Sequence, residues 1–262
     1  FASCGSPRVS GGPDMGAAKT PPAARLGVPH HLIDILDPCD PCDAGRFASL
    51  ARPVLREIAA RGRLPILAGG TGFYLRATLD GLAPAPRRDP SLRARLAAAE
   101  ARRAGWLHRL LTRLDPPTAA RIPPRDHQKL VRAWGIGLLA RQPASSVFAA
   151  GSGPLAGFVP LKLVLLPDRE PLRARILDRT RQMFAAGLVG EARRLPPDAK
   201  PLEAIGYKEA RAVAEGRLSQ DEALRLTFFA TCQYAKRQIT WFRREPGALI
   251  LHGFGADPSM RQ

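Results

Sequence analysis

Cysteine is scarce in this chain: Cys4, Cys39, Cys42 and Cys232 are the four in 262 residues. They give no disulfide framework, which fits a reducing compartment. Cys39 and Cys42 form a lone C-x-x-C in DPCDPCD, with no second pair to complete a structural zinc site. A thioredoxin-like motif would follow a strand and open a helix, whereas this one sits among prolines and aspartates. Loop thiols are the expectation, and no residue is put forward as a metal ligand. No apolar run approaches roughly 18 residues, and no signal-peptide pattern is present. Acidic residues are short as well: 23 against 40 basic ones, for a net charge of +17. That balance favours a polyanionic partner, either nucleic acid or a phosphorylated substrate. Only 6 of the 40 basic residues are lysine, and arginine forks suit phosphates and RNA bases. Hydrophobic content of 45% is enough for a core, so a disordered tail is excluded.

Phosphate-binding glycine loops are also lacking. Gly12–Thr20, GPDMGAAKT, fails as a P-loop because Ala18 stands where glycine must precede the lysine. Residues 1–25 show no readable period. The chain opens on Phe1 rather than methionine and is expected to lack its true beginning. His30 and His31 in VPHHLIDI suit a structural or positioning role better than metal binding, since adjacent histidines splay apart. Phe47, Leu50, Val54, Leu55 and Ile58 have helical spacing, with Pro53 expected to kink or split that helix.

Leu64–Ala68 reads as a short apolar strand running into GGTGFY (Gly69–Tyr74). Helix, strand and glycine-rich turn in that order make a parallel α/β unit, and ligands bind at the carboxyl ends of such strands. The glycines admit close approach of a bound group and Thr71 supplies a hydroxyl; a plain tight turn is the alternative. Residues 84–150 read as helices, with Asp89, Asp115 and Asp126 starting three of them, and GSGPLAG as a linker. Leu161–Leu166 reads as a second buried strand. Arg175 and Arg179 after it are four apart and stack on one helix face, to hold a pyrophosphate or simply to be solvated. Glu203–Gly216 opens a helix near Tyr207 and Lys208. In Leu218–Arg244, Ser219 and Glu222 fit a capping box. Leu224, Phe228, Thr231, Ala235, Ile239 and Phe242 share an arc of roughly 80°. Cations and rings lie beside that arc, as phosphates and unstacked bases require, or as an ordinary basic surface helix would show. Ala248–Leu251 reads as a third strand.

Taken in order, DMGAAKT, VPHHLIDILDP, AGGTGFYLRATLDGL, the DP-x-LR segment at Asp89–Arg93, RDHQKLVRA, DREPLRARILDRTRQMFAAGL, EAIGYKEA and YAKRQITWFR resemble the tRNA dimethylallyltransferases, or tRNA isopentenyltransferases. The resemblance implies an α/β fold like that of P-loop kinases: a parallel sheet with flanking helices and a helical insertion. The first strand and P-loop are expected to be missing. It divides the chain into core over 1–83, insertion over 84–155 and core over 156–262. It implies transfer of a dimethylallyl group from its diphosphate to the exocyclic amine of the adenosine 3′ of the anticodon, with Mg²⁺ on the pyrophosphate. A cytoplasmic monomer acting on a tRNA anticodon stem-loop, without a membrane, follows. Thr71 and Arg179 match the catalytic core. Arg175, Arg179, Lys236 and Arg237 match diphosphate contacts. Ser6, Arg8, Arg93, Gln128, Lys129, Arg132, Gly206, Tyr207 and Lys208 match tRNA contacts. The family's D-S-x-Q-V-Y motif, whose Asp is the general base, falls on Gly5–Ser10, so Gly5 replaces that base and Arg8 the Gln. Impaired activity follows, or a noncatalytic tRNA-binding role.

Overall fold

A computed structural model describes residues 2–4, 9–12, 14–17, 19–151, 153–255 and 257. The chain forms two compact units: Phe1–Leu79 with Gly157–Gln262, and Asp80–Ala156.

The first unit carries the strands. β1 (Ala2–Cys4) pairs in parallel with β2 (Leu67–Gly69), placing Ser3 opposite Ala68. β3 (Lys162–Leu166) pairs in parallel with β4 (Ala248–His252), placing Val164 opposite Ile250. Parallel pairing is what strand–turn–helix order requires. Among the described residues the strands form these two separate ladders rather than one continuous sheet. β1 lies in a stretch whose sequence shows no period, because three residues are too few to display alternation.

Between β1 and β2 runs α1 (Ala44–Ala60), capped by Asp43, whose carboxylate accepts the Arg46 N–H at 2.9 Å. Pro53 does not split it. The proline ring faces solvent, while Phe47, Ala48, Ala51, Leu55 and Ile58 form a buried stripe that carries the helix past the missing hydrogen bond. α2 (Gly72–Leu79) follows β2 and packs on α1 through small side chains, Ala44 and Ala48 against Ala77.

After β3 come α8 (Arg169–Ala185), α9 (Leu188–Arg194), α10 (Tyr207–Ala214) and α11 (Gln220–Phe242). Phe184, Leu188, Ala192, Tyr207, Ala210 and Ala223 form one buried cluster among them. The six-residue apolar arc of α11 is half-buried throughout; full burial falls one step round, on Ala223 and Thr227. β3 is buried on one face only. Val164 and Leu166 point inward, whereas Leu163 and Leu165 are 56% and 48% exposed beside their register partners Leu249 and Leu251.

The second unit is helical: α3 (Pro90–Arg102), α4 (Trp106–Leu114), α5 (Pro116–Ala119), α6 (His127–Ala140) and α7 (Ala144–Ala149). Its starts are set by acids. Asp89 accepts the Leu92 N–H at 2.9 Å, and Asp126 accepts the Lys129 N–H at 3.1 Å. Buried Glu100 accepts N–H groups from Gly105 at 2.6 Å and Leu107 at 2.8 Å, satisfying the first turn of α4. Leu96, Leu107, Leu111, Leu130, Ile136 and Val147 fill the core. Leu130 is fully buried at its centre. Leu130→Ala is therefore expected to destabilise the protein by about 2–5 kcal/mol, read from the denaturant midpoint.

Candidate functional site

The turn between β2 and α2 is built around missing side chains. A Cβ on Gly70 would lie 2.0 Å from Gln238 Nε2, and a Cβ on Gly72 would lie 2.0 Å from Trp241 Nε1. The glycines of GGTG therefore serve first to admit α11. Gln238 Nε2 donates to the Gly70 carbonyl at 2.7 Å. Thr71, half-buried between them, starts α2: its carbonyl accepts N–H groups from Tyr74 at 2.9 Å and Leu75 at 3.2 Å.

The same stretch of α11 borders an open groove. Arg76, Gln233, Lys236, Arg237, Thr240, Trp241 and Arg244 line it. Arg76 lies 4.8 Å over the Trp241 ring and donates to Glu245 at 2.8 Å; Lys162 donates to the other oxygen of Glu245 at 2.7 Å. Burial opposes charge on Glu245, but the Lys162 and Arg76 donors outweigh it and hold the carboxyl below its ordinary range. Lys236 and Arg237 are thus brought together with two further cations, Arg76 and Arg244. Arg76, Gln238 and Glu245 escape sequence reasoning because their partners lie far along the chain.

A second cluster holds the Asp14–Ala17 turn. Glu191, buried on α9, accepts N–H groups from Asp14 at 2.7 Å and Met15 at 3.2 Å, and the Tyr207 hydroxyl. The Gly16 N–H donates to Tyr207 Oη at 3.1 Å, and a Cβ on Gly16 would meet that ring at 2.1 Å. Burial, and then Glu191, push the Tyr207 hydroxyl far above its ordinary range, so it stays protonated as a donor. Tyr207 has no exposed surface. Its ring is committed to the core, and Gly206 is buried beside it; Lys208 is the exposed member of that trio. Arg179 donates to the Gly16 carbonyl at 3.3 Å, while Arg175 lies 4.6 Å over Phe254. The two arginines share a helix and reach different partners, so the structure does not join them in one anion clamp. Ser6 and Arg8 lie outside the described residues.

In the helical unit, Arg93, Gln128 and Arg132 meet in one groove, with Arg88, Asp89, Leu92, Val131, Gly135 and Leu139 completing its walls. Arg132 Nη2 donates to the Pro86 carbonyl at 3.1 Å. Lys129 is turned aside, 2.8 Å from Asp126. Among the described residues no group of three or more His, Cys, Asp or Glu could hold a metal ion. No helix of the described residues is long and apolar enough to cross a membrane.

Comparison with known proteins decides what these clusters belong to. The sequence pattern of the IPP transferase family matches residues 11–245. The chain belongs to that family. The tRNA dimethylallyltransferase of Solibacter usitatus (strain Ellin6076) is 51% identical over 254 residues, covering 95% of this chain and 83% of that one. That of Koribacter versatilis (strain Ellin345) is 44% identical, covering 94% and 82%. The crystal structure of the full-length tRNA isopentenylpyrophosphate transferase from Bacillus halodurans superposes with a TM-score of 0.68 at 33% identity, covering 99% of this chain and 83% of that one. A eukaryotic dimethylallyltransferase acting on tRNA gives a TM-score of 0.78 at 22% identity, covering 99% and 70%, a likeness of fold. The α/β architecture, with short parallel strand pairs and many helices, is therefore that of the IPP transferases. The family match contains all three clusters.

Two outcomes follow for the GGTG cluster. Gly72→Ala forces its methyl into the Trp241 indole and is expected to cost about 1–3 kcal/mol. Most of that cost should vanish in a Trp241→Ala background, as a double-mutant cycle in urea would read. Glu245→Gln removes a carboxylate whose folded pKa lies below the ordinary 4.5. Its contribution, about 1–2 kcal/mol, is present above that value and lost as pH falls through the folded pKa. The stability gap between wild type and Glu245→Gln should be widest near neutrality and close on acidification.

Proposed function

We propose that this chain acts on tRNA as its IPP transferase relatives are named to do, moving a dimethylallyl group onto the exocyclic amine of the adenosine 3′ of the anticodon, as a cytoplasmic monomer. The observation that supports this most is the GGTG turn clamped by Gln238 and Trp241 beside the cationic groove of α11. In the reaction the amine nitrogen attacks C1 of dimethylallyl diphosphate, a new C–N bond forms, and the C–O bond breaks with pyrophosphate leaving. The amine proton passes to a base. Thr71 meets the target nucleotide. Arg179, Arg175, Lys236 and Arg237 offset the charge of the leaving diphosphate. Arg93, Gln128, Arg132 and Lys208 hold the RNA. Lys129 serves it through the Asp126 cap. The adenine must leave its stack to be reached. Mg²⁺ would arrive on the diphosphate. There it would supply charge neutralisation to the leaving group.

The base is the weak point. Gly5 stands at the position of the family's Asp and Arg8 at that of its Gln, and glycine accepts no proton. The chain is therefore proposed to transfer slowly, and the second reading, RNA binding without modification, rests on the same two residues. Incubation with anticodon stem-loop RNA and dimethylallyl diphosphate, followed by mass spectrometry, tests both. Wild type should bind RNA with steep salt dependence and transfer slowly, and Gly5→Asp should transfer about 10²–10⁴-fold faster. Equal, rapid transfer by both would refute the impairment. Tight binding with no transfer by either would favour the second reading.

A further inference from the structure

Glu191 is a buried carboxylate to which the proposed reaction gives no part. It is 6% exposed on α9. What it accepts are neutral donors: the Asp14 N–H at 2.7 Å, the Met15 N–H at 3.2 Å and the Tyr207 hydroxyl. Holding a carboxylate out of water is costly, so its placement needs a reason. The reason lies on the far side of the turn it grips. The Tyr207 hydroxyl gives its proton to Glu191, which leaves its oxygen to accept. The Gly16 N–H donates there at 3.1 Å, and the Ala17 N–H bears on the same oxygen. Four successive N–H groups, Asp14 to Ala17, thus converge on the Glu191–Tyr207 pair. The Gly16–Ala17 peptide is planar and trans, so its N–H and C=O point in opposite directions. With the N–H turned in to Tyr207, the Gly16 carbonyl turns out, and Arg179 Nη2 donates to it at 3.3 Å. Only glycine fits at this step, because a Cβ on Gly16 would lie 2.1 Å from the Tyr207 ring. At the start of the turn, Lys19 Nζ holds the Asp14 carboxylate at 3.1 Å.

We propose that Glu191, acting through Tyr207, is a positioning residue for the transfer: the pair fixes the Gly16 carbonyl, and that carbonyl aims the Arg179 guanidinium at the leaving diphosphate. A guanidinium carries five donors on one rigid plane, so a carbonyl at one nitrogen sets the plane without using up the fork. A cation already aimed needs no reorganisation as charge develops on the leaving group. The proposal rests on the reading of Arg179 as a diphosphate contact, and adds to it the buried pair behind that arginine.

The test is binding of inorganic pyrophosphate to the full chain, followed by ³¹P line broadening below the Tm of each variant. Glu191→Gln keeps the volume and removes the charge; Tyr207→Phe keeps the ring and removes the hydroxyl. Each should weaken pyrophosphate on the order of tenfold, the size of one lost hydrogen bond. Each should bind a labelled anticodon stem-loop RNA as wild type does, whereas a merely structural role would lower both affinities together and overturn the proposal. Arg179→Ala should weaken pyrophosphate at least as much. Adding Glu191→Gln or Tyr207→Phe to Arg179→Ala should cost nothing more, since no guanidinium is left to position. Wild-type pyrophosphate affinity in both single variants, or the same loss with and without Arg179, would overturn the positioning and leave the reading of Arg179 intact. If Arg179→Ala itself binds pyrophosphate as wild type, that reading falls, and the proposal with it. Should one of the two single variants misfold, the other decides by the same cycle.

Discussion

The first unit depends on how closely α11 can approach the turn after β2. Gln238 and Trp241 occupy the volumes that side chains on Gly70 and Gly72 would fill. That contact fixes the height of α11 over the strand end. Arg76 then reaches the Trp241 ring from α2, and Glu245, just past the helix, gathers Arg76 and Lys162. Lys162 opens β3, so one carboxylate ties the start of that strand to the far end of α11 and to α2. Two cations are consumed by this network. Lys236, Arg237 and Arg244 stay on the groove wall, so the charge that can meet a ligand is what the packing leaves over.

Acids and bases divide their work sharply. In a chain of net charge +17, the buried carboxylates are spent mainly on backbone N–H groups. Glu191 takes those of Asp14 and Met15, Glu100 those of Gly105 and Leu107, and Asp115 those of Thr118 and Ser145. An ionised carboxylate out of water must be compensated, and oriented N–H groups do so without drawing an arginine into the core. Arginine is thereby kept at the surface, and the basic balance read from composition becomes a property of grooves rather than of salt bridges.

How much of this was legible follows from range. The caps at Asp89, Asp126 and Ser219 were readable because donor and acceptor lie three residues apart. The strand–turn–helix units were readable from glycine and apolar runs. The reason for the glycines was not, since Gln238 and Gly70 are 168 residues apart. The partners of Tyr207 were illegible for the same cause. Its motif suggests RNA, but its hydroxyl is spent on Glu191 and Gly16, the latter 191 residues away. Pro53 leaves the helix unbroken, which a local rule cannot foresee because it does not see the buried stripe around it. Arg175 and Arg179 share a helix face, yet spacing along one helix says nothing of what each tip meets.

The motifs that identify the family turn out to be halves of contacts. DMGAAKT meets EAIGYKEA where Gly16 gives way to the Tyr207 ring. GGTG meets YAKRQITWFR where Gly70 and Gly72 give way to Gln238 and Trp241. DP-x-LR meets RDHQKLVRA in the groove of Arg93, Gln128 and Arg132. In the first two, a glycine on one side exists for a large side chain on the other, so neither half can change alone without strain. Those motifs therefore testify first to architecture. The proposed reaction draws on residues outside such pairs: the cations left on the groove walls, and the position held by Gly5. A chain can keep every paired motif and still differ in chemistry, because packing constrains the two halves together and leaves the base to be decided separately.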